Sequence, residues 1–269
     1  MKKYAVIGSP ISHSLSPQIH ALFAEEAGID ISYEAIEVTK ENFKTKVDDL
    51  FNEGFMGLNV TLPLKEDAFN YAGVKSERAS LSESVNTLSF IDSSIHGETT
   101  DGAGLIADLA DKGIRLEASS LLLLGAGGSA RSIVPSLLSK NPKHLFIANR
   151  TIEKAESLVD KYKISHPQIT LLDEDLYSTT KPDVVINSTS AGTLNDSIVL
   201  PEDLFRSKPK VYDLSYSKDE TAFNRAAKEG GSKEVYDGLG MLIQQAALSF
   251  EIWNEFKPST NGIEQKIRT

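Results

Sequence analysis

The feature that most constrains the fold is a run of four leucines at residues 121–124, followed directly by "GAGGSARS". Four apolar residues in a row predict a strand buried on both faces, as in a parallel sheet covered by helices. Gly125, Gly127 and Ala130 then have the G-x-G-x-x-A spacing of a dinucleotide-binding turn, in which the second glycine lets the backbone approach a pyrophosphate. A plain strand-to-helix turn is the alternative for this motif alone. We predict that the loop after this strand binds a dinucleotide cofactor, with contacts from Gly125, Ala126, Gly127, Gly128, Ser129 and Ala130.

The next strand, in "HLFIANRT" at residues 144–151, indicates which dinucleotide binds. An acidic residue about 20 residues beyond the glycines holds the ribose 2′-hydroxyl of NAD, whereas the 2′-phosphate of NADP requires a cation. Here the strand ends at Asn149 and Arg150, Thr151 is the expected helix N-cap, and Lys154 occupies the third helical position. We therefore predict NADP as the cofactor, held by these four residues. The alternative is that Arg150 and Lys154 are solvated surface charges.

Composition and charge narrow the class of protein. A net charge of −10 disfavours nucleic acid and anionic membranes as partners. The chain has no cysteine, which excludes disulfides, thiolate metal sites and cysteine nucleophiles. No apolar run reaches the length of a membrane span, and the start "MKKYAVIGSP" breaks before a secretory core could form. We expect a cytoplasmic protein with a small-molecule substrate, as a monomer or homodimer.

Strand and helix patterns alternate along the whole chain, which predicts an α/β fold. In the first hundred residues the strands are "KYAVIG", "ISYEAIEV", "FMGLNVT" and "VNTLSFI", and the helices lie at about 16–28, 40–52 and 64–72. Later strands are "SSLLLLGAG", "HLFIANR", "PDVVINSTS" and "KVYDLSY", with helices near 128–140, 152–163 and 221–229. That alternation implies parallel pairing with right-handed crossovers. Two further helices are expected at about 101–113 and 239–256.

These patterns predict two α/β domains around a cleft. Residues 1–101, joined by the C-terminal helices at 239–269, would form a substrate-binding and catalytic domain. Residues 102–238 would form a Rossmann-type domain with a doubly wound parallel sheet, which binds NADP.

Candidate substrate ligands cluster in "FMGLNVTLPLK". A period of two puts Asn59 and Thr61 on one face of the strand, and Lys65 follows just beyond its end. Carboxyl ends of strands are where α/β sheets bind ligands. The alternatives are a turn cap for Asn59 and Thr61 and a solvated Lys65. Ser16 and Asp101, taken singly, each fit a helix N-cap better than a ligand.

The combination of motifs is more specific than any one of them. Together "PISHSLSPQIH", "GLNVTLPLK", "SVNTLS", "TDGAG", "GAGGSARS", "ANRT", "NSTSAG", "DLSY" and "DGLGMLIQQAALSFEIW" resemble the NADP-dependent shikimate dehydrogenases of aromatic amino-acid biosynthesis, over nearly the whole chain. The resemblance implies that Lys65 and Asp101 form the catalytic pair. It further implies that the carboxylate of shikimate meets Ser14 and Ser16, that its hydroxyls meet Asn59, Thr61, Asn86, Asp101 and Gln245, that Tyr216 lines the substrate pocket, and that Leu214 and Gly238 approach the nicotinamide. The family commonly has Arg where this chain has Lys154, which implies a milder preference for NADP.

The implied reaction is a reversible hydride transfer between NADPH and the ring ketone of 3-dehydroshikimate. Lys65 is expected to donate a proton and to stabilise the developing alkoxide, while its role as a base in the oxidation stays open. The chemistry has no step that requires a metal. Two alternatives remain: a quinate/shikimate dehydrogenase that uses NAD, and a non-catalytic dinucleotide-sensing regulatory module. The presence of both Lys65 and Asp101 argues against the second.

Overall fold

A computed structural model describes residues 1–172, 180–189 and 204–269 of the protein. The chain forms two compact units: Met1–Leu105 with Met241–Thr269, and Ile106–Gly240. Within the described residues, every helix is too short or too polar to cross a membrane.

The first unit is built on a six-stranded sheet. Its strands are β1 (Lys2–Gly8), β2 (Ile31–Glu37), β3 (Phe55–Val60), β4 (Val74–Lys75), β5 (Thr87–Ile91) and β6 (Ser94–Glu98). Its helices are α1 (Ser16–Ala27), α2 (Phe43–Asn52), α3 (Lys65–Tyr71) and α4 (Glu77–Ser82), with the first half of α5 (Asp101–Asp111), most of α9 (Leu239–Asn254) and α10 (Ile263–Arg268). Ile7, Leu58 and Leu88 from neighbouring strands form its core together with Val47 and Leu50 of α2.

This sheet is mixed, with the strand order β2-β1-β3-β5-β6-β4. Strands β2, β1 and β3 are parallel, but β5 runs antiparallel to both β3 and β6. Asn59 near the end of β3 therefore pairs with Thr87 at the start of β5, which in turn pairs with Glu98 at the end of β6. The end of β3, the start of β5 and the residues that follow β6 thus lie side by side at the same end of the strands.

Sequence patterns predicted β5 but not the hairpin that it forms with β6. The two strands are joined by Asp92 and Ser93, which have φ values of 49° and 62°. Positive φ at both central residues is what a type I′ hairpin turn requires. Asp-Ser lacks the glycine that usually marks such a turn, so the sequence signal is weak.

The second unit is a parallel, doubly wound sheet, which confirms the predicted Rossmann-type fold. Its strands are β7 (Ser120–Leu124), β8 (His144–Ala148), β9 (Ile169–Leu171), β10 (Val184–Asn187), β11 (Lys210–Asp213) and β12 (Val235–Tyr236), and its helices include α6 (Gly128–Leu138), α7 (Ile152–Lys163) and α8 (Ala222–Glu229). The order β12-β11-β10-β7-β8-β9 reverses direction between β7 and β10. Sheets of this type bind ligands at that reversal, beyond the carboxyl ends of the strands.

Each predicted strand corresponds to an observed one; β1 is one residue longer than predicted, and the other observed strands are shorter than their predictions. β7 ends at Leu124 because Gly125 turns the chain with a φ of +105°. "PDVVINSTS" contains β10, and its last residue, Ser190, lies outside the described residues. Sequence patterns did not predict β4, β6, β9, β12 or α4, most of which are too short to show a period.

Candidate active site

Lys65 and Asp101, the predicted catalytic pair, are in direct contact in the first unit. Lys65 Nζ lies 2.6 Å from Asp101 Oδ2, and the two side chains are 12 % and 5 % exposed. Lys65 is the first residue of α3, and its carbonyl accepts a hydrogen bond from the N–H of Val85 just before β5. Asp101 is the first residue of α5, and its carboxylate accepts hydrogen bonds from side chains of Lys65 and Asn86. The Asp101 carboxylate therefore binds side chains rather than serving only as a helix N-cap.

Asn86 fixes the second oxygen of that carboxylate. Its Nδ2 donates to Asp101 Oδ1 at 2.9 Å and to Gln245 Oε1 at 3.0 Å, and its Oδ1 accepts from the N–H of Thr100 at 2.9 Å. Because a backbone N–H can only donate, the last bond identifies the oxygen end of the amide. Asp101 is thus held by a donor on each oxygen, which fixes the orientation of its carboxylate towards Lys65.

Gln245 reaches this cluster because α5 and α9 approach closely at Gly104. A Cβ at Gly104 would lie 2.7 Å from the backbone nitrogen of Gln245. The Gln245 side chain also donates to the carbonyl of Leu242 at 2.8 Å. Any larger residue at position 104 would push Gln245 away from Asn86.

Asn59 lies at the end of β3 and is only 5 % exposed. Its Nδ2 donates to the carbonyl of Asn86 at 3.1 Å and to Ser249 Oγ at 2.9 Å, and its Oδ1 accepts from the hydroxyl of Tyr33 at 2.7 Å. Thr61 follows in the turn to α3 and is partly exposed. The structure brings Asn59, Asn86, Asp101, Lys65 and Gln245 into one network of contacts.

The prediction that Ser16 is the N-cap of α1 is wrong. Leu15 occupies the cap position, and Ser16 is the first helical residue with 4 % of its surface exposed. The physical reason is that the hydroxyl of Ser14 accepts the hydrogen bond from the N–H of Ser16, at 3.3 Å. Ser14 thus provides the hydrogen-bond acceptor that a helix N-cap normally supplies. The hydroxyls of Ser14 and Ser16 both lie at a helix N-terminus, where anions are favoured.

The glycine-rich loop of the second unit fits the cofactor that its spacing predicts. At Gly125 a Cβ would lie 2.5 Å from Ser188 Oγ, so both φ and space require glycine. Gly127 is the N-cap of α6 with an ordinary φ of −83°, and apart from its chain neighbours no atom of the described residues lies within 4 Å of the position of its missing Cβ. Ala130, in the first turn of α6, is fully buried. Gly127 therefore faces open space that a dinucleotide could fill.

Asn149 links this loop to the start of α7. Its Oδ1 accepts from the N–H of Ala126 at 3.2 Å, and its Nδ2 donates to the carbonyl of Thr151 at 2.8 Å. Thr151 is the N-cap of α7, as predicted, although its side chain forms no capping hydrogen bond. Arg150 and Lys154 are both exposed, which fits phosphate binding and surface solvation equally.

Leu214 and Gly238 are in contact within the second unit. A Cβ at Gly238 would lie 2.0 Å from the carbonyl oxygen of Leu214, and the N–H of Gly238 donates to Ser215 at 3.0 Å. Tyr216 follows on the same segment and is partly buried. The segment is anchored by Asp213, whose buried carboxylate accepts from Asn187 and from the N–H of Ser215. Burial raises the pKa of Asp213, and hydrogen bonds oppose that shift. Of the motif "NSTSAG", residues 190–192 lie outside the described residues.

Several polar residues that support the network were not predicted from sequence patterns. Thr87 Oγ1 lies 2.8 Å from Ser249 Oγ, and Thr100 Oγ1 lies 2.8 Å from Asn86 Nδ2. Ser249 could have been noticed, because it follows Gln245 by one helical turn inside an apolar stretch. Nothing in the spacing of Tyr33 points to Asn59.

Three family models match the chain. They are the shikimate dehydrogenase substrate binding domain at residues 6–88, shikimate / quinate 5-dehydrogenase at residues 108–211, and the shikimate 5′-dehydrogenase C-terminal domain at residues 238–268. The matched ranges include all of the predicted site residues except Asp101, Leu214 and Tyr216.

Full-length relatives and solved structures agree with these matches. A shikimate dehydrogenase (NADP(+)) from Methylobacillus flagellatus is 40 % identical and aligns over 100 % of this chain and 99 % of its own length. One from Psychromonas ingrahamii is 43 % identical over 100 % of this chain and 98 % of its own. The crystal structure of shikimate 5-dehydrogenase from Thermus thermophilus in complex with NADP(H) and shikimate has a TM-score of 0.89 at 32 % identity, covering 100 % of this chain and 99 % of that one. This chain belongs to the shikimate dehydrogenase family.

Proposed function

We propose that the protein catalyses the reversible, NADP-dependent interconversion of 3-dehydroshikimate and shikimate in aromatic amino-acid biosynthesis. The observation that carries the proposal is the shielded contact between Lys65 and Asp101, 2.6 Å long and braced by Asn86 and Gln245, in a chain of this family. The absence of cysteine fits a reducing compartment, and we place the enzyme in the cytoplasm as a monomer or homodimer.

The two parts of the chain divide the binding. Residues 1–101 with 239–269 bind the substrate, and residues 102–238 bind NADP. Support for the second assignment comes from Gly127, whose missing side chain leaves open space at the N-terminus of α6. Backbone N–H groups and the helix dipole at such a terminus favour a pyrophosphate. Arg150 and Lys154, exposed beside Asn149, supply cations for the 2′-phosphate.

Substrate recognition follows from the donors and acceptors at the edge of the first sheet. The hydroxyls of Ser14 and Ser16, at the start of α1, receive the carboxylate of shikimate. The ring hydroxyls meet Asn59, Thr61, Asn86, Asp101 and Gln245. Tyr216 lines the pocket, and Leu214 and Gly238 approach the nicotinamide.

Lys65 performs the proton transfer. NADPH, when bound, supplies the hydride that converts the C3 carbonyl carbon into a carbinol carbon. The ammonium of Lys65 stabilises the negative charge that develops on the C3 oxygen and donates a proton to it, after which solvent returns a proton to the amine. Asp101 accepts a hydrogen bond from the ammonium and orients it, and Asn86 keeps the carboxylate in place. In the direction of oxidation, the same groups act in reverse order.

The test is the absorbance of reduced nicotinamide when the pure protein is mixed with shikimate or quinate and with NADP or NAD. The proposal predicts rapid reduction of NADP with shikimate. Faster reduction of NAD with quinate would favour the quinate/shikimate alternative. Tight NADP binding by calorimetry without turnover of either acid would favour a regulatory module.

A further inference from the structure

Tyr33, on β2, forms a hydrogen bond to a residue of the proposed substrate site although its position in the sequence gave no indication of this. Its hydroxyl donates to Asn59 Oδ1 at 2.7 Å. We propose that Tyr33 is a positioning residue which, together with the neighbours of Asn59, makes Asn59 a pure hydrogen-bond acceptor towards one ring hydroxyl of the substrate. The inference rests on the proposed function and adds to it the direction of one substrate hydrogen bond.

The two protons of the Asn59 amide are both used inside the protein. One points to the carbonyl of Asn86 at 3.1 Å, and the other points to Ser249 Oγ at 2.9 Å. A carbonyl can only accept, so this contact fixes which end of the amide is nitrogen. Ser249 in turn donates to the carbonyl of Gln245 one turn earlier, which leaves its oxygen free to accept from Asn59. Asn59 consequently has no proton left for a ligand.

Within the described residues, the oxygen end of Asn59 keeps one unused lone pair, because neither ring nitrogen of the neighbouring His20 forms a hydrogen bond. An amide oxygen has two, and the phenol of Tyr33 occupies one. A substrate hydroxyl that reaches Asn59 must therefore donate to it. A group that cannot donate, such as a carbonyl or a fluorine at the same ring position, would leave two acceptors facing each other, which is unfavourable in a buried site.

The position of the Tyr33 hydroxyl is fixed by the ring on which it packs. The ring of Tyr33 stacks on His20 with centroids 4.1 Å apart and planes 12° apart, and His20 is fully buried. Burial lowers the pKa of His20 to about 3, partly offset by Asn59, so this ring is neutral near neutral pH. Burial raises the pKa of Tyr33 well above its usual value, partly offset by Ser16, so the phenol remains a donor. Tyr33 thus neighbours both Ser16 and Asn59.

The first experiment replaces Tyr33 by Phe, which keeps the stacked ring and removes only the hydroxyl. Loss of one net hydrogen bond predicts a rise of about three- to tenfold in the KM for shikimate, with a much smaller change in kcat and none in the KM for NADP. The control is Tyr4→Phe, because Tyr4 is also buried, also stacks on a ring, that of Trp253, and also donates to an amide oxygen, that of Asn254 at 3.0 Å. This control should leave both KM values unchanged.

Deoxy analogues distinguish positioning from a general structural effect. The dissociation constants of shikimate, its 4-deoxy analogue and its 5-deoxy analogue are measured by calorimetry for the wild type and for Tyr33→Phe. The proposal predicts that the mutation weakens shikimate and one analogue, but leaves unchanged the analogue that lacks the hydroxyl facing Asn59. An equal loss for all three ligands, no loss for any, or the same loss in Tyr4→Phe would overturn it.

A measurement on the wild type alone covers the case in which Tyr33→Phe does not fold. Analogues with fluorine in place of the 4- or 5-hydroxyl keep a similar size but cannot donate. At the position facing Asn59, fluorine should weaken binding at least as much as deletion does; equal binding of both fluorinated analogues and shikimate would overturn the proposal. If the wild type turns over shikimate and Tyr33→Phe behaves identically, this inference is refuted but the proposed function is not. If the wild type does not turn over shikimate, the proposed function is refuted as well.

Discussion

Replacement of Asp101 by Asn tests whether the proposed catalytic pair, Lys65 and Asp101, requires a carboxylate. Asp101 accepts from Lys65 Nζ at 2.6 Å on one oxygen and from Asn86 Nδ2 at 2.9 Å on the other. Lys65 and Asn86 are both hydrogen-bond donors. In either orientation, the NH2 group of an Asn at position 101 would therefore face one of these donors and could not accept a hydrogen bond from it. An Asn therefore loses one of the two bonds, although Asn and Asp cap helices about equally well.

The size of the effect follows from the burial of the pair. A lost hydrogen bond to a charged group costs about 1.5–3 kcal/mol, and the side chains here are 12 % and 5 % exposed, so water does not replace it. For a protein of this size we expect a melting temperature lower by about 3–12 °C, with the fold retained. Loss of a positioned proton donor predicts a fall in kcat of about 10²–10⁴, with a smaller change in the KM for shikimate.

Lys65→Met and the double variant complete the test. Met keeps the aliphatic stem of Lys65 and removes the ammonium, so kcat should fall by a similar factor. The double variant should be little worse than the worse single variant, because the two groups act as a unit. As a control, Glu234→Gln breaks the surface pair with Lys210, whose side chains are 33 % and 50 % exposed, and should change kcat negligibly.

Steady-state kinetics with shikimate and NADP, with melting temperatures for each variant, decide the question. Near-normal kcat in Asp101→Asn or in Lys65→Met would refute a catalytic role for that residue. Fully additive losses in the double variant would refute the claim that they act together.

Three further predictions concern the cofactor and the buried histidine. Arg150→Ala should raise the KM for NADP strongly and leave that for NAD nearly unchanged; equal losses would assign Arg150 to the fold. Gly127→Ala should keep the melting temperature of the wild type, because the added methyl group enters open space, but it should weaken NADP binding, because that space is where we place the cofactor. Gly125→Ala should unfold at a lower temperature, because position 125 has a φ of +105° and the added Cβ would lie 2.5 Å from Ser188 Oγ. Unaltered NADP binding in folded Gly127→Ala would contradict that role. Burial lowers the pKa of His20 to about 3 in the folded state, whereas in the unfolded chain this histidine has an ordinary pKa of about 6.5. Between these two values only the unfolded chain binds the proton, so a fall in pH favours unfolding. The stability that the protein loses between about pH 7.5 and 5, measured by urea titrations, should therefore be smaller in His20→Phe than in the wild type by up to about 2 kcal/mol. Parallel curves for His20→Phe and the wild type would refute this.

Local sequence patterns predicted the second unit well because its signals are local. Four leucines, three small residues at fixed spacing and a following helix specify β7, the turn and α6 within a few residues of one another. The φ of +105° at Gly125 is a local requirement that a glycine signals directly, although contact with Ser188 adds a second, distant one.

The first unit was harder to predict because its site depends on contacts between distant parts of the chain. The antiparallel hairpin that brings Asn86 and Asp101 to Asn59 turns on Asp92 and Ser93, which carry no glycine signal. The bonds of Asn59 to Tyr33 and Ser249 join residues separated by 26 and 190 positions. Sequence patterns identify which side chains are polar, but not which of them pack together.

The central claim is that a hydride moves between C3 of shikimate and NADP at the site of Lys65 and Asp101. Shikimate carrying deuterium at C3 tests it most directly, with mass spectrometry of the reduced cofactor after incubation with the protein. We predict that one deuterium appears in NADPH and that Lys65→Met slows its appearance by about two or more orders of magnitude. Reduced cofactor without deuterium, or labelling at an unchanged rate in Lys65→Met, would contradict the account.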